Sequence, residues 1–127
     1  MKRDMDYVRD LLLKLEAAPT AIEDSTVLLS DQSSEEAEAK LNYHLEMLDQ
    51  AGLLNAMESN AIGHDQWYDL RLTWQGHEFL ETIRDPEVWS RTKAGAKKAG
   101  NFAMGFVVDL ATAYGKHVAK ERLGIEI

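Results

Sequence analysis

The sequence predicts an α+β fold, mainly helical with a small β-sheet, and three observations carry that reading. The first is a helix ending across residues 43–54, where an apolar 3.6-residue period runs into Ala51-Gly52-Leu53-Leu54 and stops. The second is residues 67–72, where Tyr68, Leu70 and Leu72 alternate with Trp67, Asp69 and Arg71 as in a half-buried strand. The third is Thr73-Trp74-Gln75-Gly76, a capping threonine that opens a new helix directly after the strand. Helix, strand, loop, strand, helix is the second half of a winged-helix domain, a fold that usually grips DNA. The expected organisation is a winged-helix-like domain over residues 1–85 and a C-terminal helical extension over residues 86–127 that packs back or dimerises.

The first helix is expected from near Asp4 to before Pro19. Met5, Val8, Leu12 and Leu15 fall at i, i+3, i+7 and i+10 and form one apolar stripe. Asp4 and Asp6 suit the positive end of its dipole. Proline disfavours helical geometry at the residue before it, so Ala17-Ala18-Pro19 closes the helix. Thr26-Val27-Leu28-Leu29 is β-prone and reads as a strand able to pair with the later hairpin. Ser33 with Glu36 three residues on reads as a capping box, and the helix behind it runs through Ala37, Leu41, Leu45 and Leu48, with His44 beside them. Gly52 is placed at its left-handed C-terminal position.

Residues 53–57 and 67–72 are the wing strands, and the connector 58–66 is long for a tight hairpin. In the helix after Thr73, Gly76, Phe79, Leu80 and Ile83 share a face. Glycine lowers helix stability, so Gly76 is read as a point of close approach to another element. Trp74 is assigned to the core and Trp67 to the wing edge. Beyond Asp85-Pro86 a basic helix is expected over 87–98 and a longer one from Asn101 to about Leu123. The last has a broad apolar face (Phe102, Phe106, Val107, Leu110, Ala111, Ala113, Tyr114, Val118) that needs a cover.

Four segments together resemble a known family: MKRDMD at residues 1–6, YHLEMLDQAGLL at 43–54, LRLTWQGHEFLETIRDPEVWSRTK at 70–93 and the closing RLGIEI. They resemble a domain-of-unknown-function family of small bacterial and prophage proteins. The resemblance implies a winged-helix-like fold, a bacterial or phage origin and neighbourhood with mobile elements. It brings no catalytic residue and no ligand. One departure stands out: the short second helix of a helix-turn-helix is not obvious between Pro19 and Gln32.

The 127 residues suffice for one modest core. There is no cysteine, which excludes disulfides, thiolate zinc sites and cysteine nucleophiles and suits a reducing compartment. The N-terminus has no apolar run of a secretory signal, and the apolar stretch at 102–114 is too short for a bilayer and holds Asp109. A soluble, cytoplasmic protein without membrane contact is expected.

The formal charge of −8 divides unevenly, with seven Lys/Arg against eighteen Asp/Glu in residues 1–85 and seven against four in residues 86–127. The helix that would enter a DNA groove carries Glu35, Glu36, Glu38, Glu46 and Asp49 against one lysine, Lys40. Candidate contacts to nucleic acid or a partner are therefore Lys40 and Tyr43 on that helix, and Trp89, Arg91, Lys93, Lys97 and Lys98 in the basic segment. Each has a plainer reading. His44 lines the core edge and Tyr43 packs on the wing, and the basic run is a solvated face anchored by Trp89 or a strip that pairs with the acidic half of the same or another subunit.

His64 and His77, beside Asp65 and Glu78, lack any spacing that would set two metal ligands on one helix face. No Gly-x-Ser-x-Gly elbow, phosphate loop or kinase signature occurs. No catalytic residue, cofactor or metal is expected. The functional expectation is a DNA-binding transcriptional regulator of bacterial or prophage origin, dimeric through its C-terminal helix. The alternative is a protein-interaction module with an acidic surface that engages a host or phage protein and leaves nucleic acid alone.

Overall fold

In the computed structural model, which describes residues 2–29, 34–61 and 64–125, the backbone follows the order α1 (Met5–Ala17), β1 (Ile22–Asp24), a 3₁₀ helix (Ser25–Leu28), α2 (Glu35–Gln50), β2 (Leu54–Ala61), β3 (His64–Leu72), α3 (Trp74–Ile83), α4 (Pro86–Ala99) and α5 (Met104–Leu123). The three strands form one antiparallel sheet in the order β1-β3-β2. The chain divides into two compact units, Met1–His77 and Glu78–Ile127. The division along the chain falls within the α3 residues, whereas Asp85 and Pro86 are the cap and first residue of α4.

In the first unit α1 starts where the sequence places it. Asp4 is its cap, its carboxylate accepting from the Tyr7 N–H at 3.1 Å, and Met5, Val8, Leu11, Leu12 and Leu15 are buried. The strand expected at 26–29 is a 3₁₀ helix instead, and the strand lies just before it. The Asp24 carboxylate accepts from the Thr26 N–H at 2.9 Å, and this local bond turns the chain out of extended geometry despite its β-prone side chains. Ile22 and Asp24 pair with Leu70 and Tyr68, so the expected partnership with the hairpin is made by the segment that begins four residues upstream. The 3₁₀ helix occupies the place of the missing second helix, completing the winged-helix order of helix, strand, helix, helix and hairpin.

The cap of α2 is Ser34, which accepts from the Ala37 N–H at 3.1 Å; Ser33 lies outside the described residues. Leu41, His44, Leu45, Met47 and Leu48 are buried, and Gly52 takes φ +76° as the left-handed residue past the helix. The connector at 58–66 proves to be mostly strand, since the β2–β3 ladder continues from Glu58 opposite Trp67 to Ala61 opposite His64. Residues 62 and 63 lie outside the described residues.

Both tryptophan assignments are reversed, and a β-bulge accounts for that of Trp67. Asn55 faces Arg71 but Met57 faces Tyr68, so Asp69 and Leu70 stand together opposite Ala56. Asp69 takes φ +55°, a left-handed conformation that aspartate tolerates better than most residues. The extra residue shifts the side-chain parity along β3. Trp67 is thus buried at 3% exposure with Leu70 and Leu72, while Trp74 stands 75% exposed on the first turn of α3. The Trp67 backbone N–H donates to the buried Ser25 hydroxyl at 3.1 Å, which ties β3 to the 3₁₀ helix.

Gly76 does what its position suggested. A Cβ there would lie 2.0 Å from the Leu53 carbonyl oxygen. The same turn is clamped by Thr73, whose hydroxyl donates to the Gly52 carbonyl and accepts from the Gly76 N–H at 3.0 Å.

In the second unit the Asp85 carboxylate caps α4, accepting from the Glu87 and Val88 N–H groups at 2.9 and 3.3 Å, and Gly100 ends the helix at φ +67°. α5 packs antiparallel on α4. The start of α4 meets the end of α5 through Asp85–Arg122, Glu87–Arg122 and Arg91–Glu121 ion pairs, and Tyr114 lies against Gly95, where a Cβ would come within 2.7 Å of its hydroxyl. Of the broad apolar face on α5, Val107, Ala111 and Val118 are buried, together with Met104. No helix among the described residues is long and apolar enough to cross a membrane.

Candidate functional site

α2 stands where a winged helix carries its groove-reading helix. Its inner face is apolar, so its outer face is what it offers to a partner. Glu35, Glu36, Glu38, Glu46 and Asp49 are all exposed there. Three of them crowd the first turn, where the helix dipole favours negative charge.

Lys40 does not offset that charge toward solvent. Its ammonium pairs with the Asp4 carboxylate at 3.0 Å and lies 4.5 Å from the centre of the Tyr7 ring. That pairing, with the Tyr7 N–H bond, holds the Asp4 carboxyl below its ordinary value of 3.8. Burial, with the Asp4 charge second, pushes the Tyr7 hydroxyl upward.

Beside this pair lies His44, wholly buried. The Asp4 N–H donates to its Nε2 at 3.0 Å, so Nε2 keeps its lone pair and the proton sits on Nδ1, which donates to the Lys40 carbonyl at 2.7 Å. Burial is the main reason its pKa falls below 6.5. Tyr7 and Tyr43 set their rings edge-on to the imidazole at 4.8 and 5.1 Å. Lys40 and Tyr43 are thus parts of a lock between α1 and α2. Sequence spacing reveals nothing of it, because Asp4 and Lys40 are 36 residues apart.

The basic segment separates into fixed and open residues. Trp89 is buried, and Lys93 lies 5.7 Å from the centre of its ring. Arg91 is held by Glu87 at 2.8 Å and Glu121 at 3.5 Å. Lys97 and Lys98 are exposed in the last turn of α4. Of the seven candidate residues, only these two combine positive charge with full exposure. Sequence reasoning missed Arg122, which holds Asp85 and Glu87 and, with the two N–H bonds of the cap, brings the Asp85 carboxyl down to about 2. The i,i+4 spacing of Glu87 and Arg91, and of His117 and Glu121, was the legible part of that network. Among the described residues no group of three His, Asp or Glu side chains is arranged to hold a metal ion.

Element order, sheet pairing and the α2 position define a winged-helix-like domain followed by a helical extension. The chain belongs to the family described as "Hypothetical protein (DUF2513)", whose model matches residues 2–102. A protein of Haemophilus influenzae described as "Uncharacterized protein" is 36% identical over 97 residues, covering 76% of this chain and 80% of the relative. No solved structure matches. The family resemblance therefore holds for the first three sequence segments, and the match runs through α4; the closing RLGIEI lies beyond the matched residues.

Proposed function

We propose that this chain is a protein-interaction module that presents α2 to a basic partner on a winged-helix scaffold. The observation that supports this reading is the outer face of α2: five exposed carboxylates, with the one lysine of the helix turned to Asp4. Phosphate contacts supply most of the non-specific affinity for DNA, and a carboxylate face repels them. The same face steers a lysine- and arginine-rich surface into contact. The reading is non-catalytic, and a cytoplasmic setting agrees with a chain that has no cysteine.

The test pairs affinity purification from the native host with a mobility-shift assay at physiological salt. The wild type should return one dominant protein, lost when Glu35, Glu38 and Glu46 are changed to lysine and weakened by added salt, and it should leave a random DNA pool unshifted. A shift of that pool by the wild type, abolished by Lys97→Glu with Lys98→Glu, would sink the proposal. That outcome would favour the second reading, a DNA-binding regulator, whose supports are the winged-helix element order and the two open lysines of α4.

A further inference from the structure

The second unit contains a groove of about 480 Å³ bounded by α3, the start of α4 and α5. Small side chains line its depth: Thr82 on α3 faces Gly115 on α5, where a Cβ would lie 3.0 Å from the threonine methyl, and Ala119 follows one turn on. Glu78 stands on the α3 wall and Lys116 on the α5 wall. The neighbouring charges are already engaged, Glu81 by Arg84 at 3.1 Å and Arg122 by Asp85 and Glu87. Glu78 and Lys116 have no ion pair among the described residues. At the far end of α5, Leu123 is 64% exposed.

We propose that this groove is a self-association surface, filled by α5 of a second copy about a two-fold axis, so that Glu78 of each copy meets Lys116 of the other. A two-fold interface must be self-complementary, because a contact from residue i to residue j is matched by one from j to i. A groove with an unpaired acid on one wall and an unpaired base on the other meets that requirement. A basic or acidic partner would instead call for walls of one sign. The small residues in its depth let a second helix axis approach closely, and the end of the packed helix covers Leu123. The inference is independent of what α2 binds.

The charge pattern gives a direct test by light scattering and sedimentation equilibrium on the full chain. Wild type should form a reversible dimer. Glu78→Lys alone places two like-charged pairs in the dimer, as does Lys116→Glu alone, and each should weaken it on the order of a hundred-fold or more. Mixing the two variants restores two opposite-charge pairs per mixed dimer, so an equimolar mixture should dimerise like the wild type. Ala119→Trp, which fills the groove, should abolish association while leaving the circular dichroism spectrum unchanged. A wild type that stays monomeric up to high micromolar concentration would overturn the proposal. So would single variants that dimerise as the wild type does, or a mixture that fails to recover.

Discussion

Gly76 and His44 carry more than their neighbours. At Gly76 two effects oppose each other. Alanine would improve helix propensity by about 1 kcal/mol. Its Cβ would also meet the Leu53 carbonyl oxygen at 2.0 Å, and that oxygen already accepts from the Thr73 N–H. A backbone atom cannot swing aside as a side chain can, so overpacking should win, and Gly76→Ala should lower stability by roughly 1–3 kcal/mol in urea unfolding. His44 ties the capping residue of α1 to the middle of α2. Its folded pKa lies below 6.5, so the unfolded chain binds the extra proton more readily. The stability it contributes is complete above pH 6.5 and declines as pH falls through that value toward the folded pKa. Protonation would set an Nε2–H against the Asp4 N–H. Urea titrations across this window should show the slope in the wild type and lose most of it in His44→Gln, and the His44 ring signals should report the Nδ1–H form at neutral pH. Asp4, whose pKa is lowered from 3.8, follows the same sign in a more acidic window.

Among the elements, local chemistry overruled propensity twice. Thr26, Val27 and Leu28 favour a strand, yet the Asp24 carboxylate reaches the Thr26 N–H and a 3₁₀ turn forms. β3 alternates cleanly on paper, yet the bulge at Asp69 moves Trp67 into the core. α2 differs from the expectation in another way: a serine caps it, but one residue later than expected, so Ala37 stands at the third position and the reciprocal glutamate bond of a capping box is not made. Ser34 is the cap. Ser34→Ala should therefore cost about 1 kcal/mol of stability, seen as a lower midpoint in thermal or urea unfolding. A change near zero would mean that the first turn of α2 contributes little to folding.

For the molecule as a whole, the charge division persists by compact unit but is milder than the division at Pro86. Met1–His77 holds six Lys/Arg against fifteen Asp/Glu, and Glu78–Ile127 holds eight against seven. Two predictions belong to this scale. Partner binding through α2 should fall steeply with ionic strength, because it rests on exposed carboxylates. Self-association through the second unit should depend on the sign of Glu78 relative to Lys116 more than on total charge.

By itself the sequence determined the helical segments, the start of α1 near Asp4, the cap at Thr73, the left-handed Gly52, the close approach at Gly76 and the acidic outer face of α2. Each is a local matter: an apolar period, a side chain reaching its own backbone, a missing Cβ. The tertiary structure alone decided the strand at Ile22–Asp24, the place of each tryptophan, the engagement of Lys40 by Asp4 and the groove beside α5. These depend on pairing between residues tens of positions apart or on one extra residue in a ladder. Neither leaves a periodic trace in the chain, because register and long-range charge pairing are settled only when the elements pack.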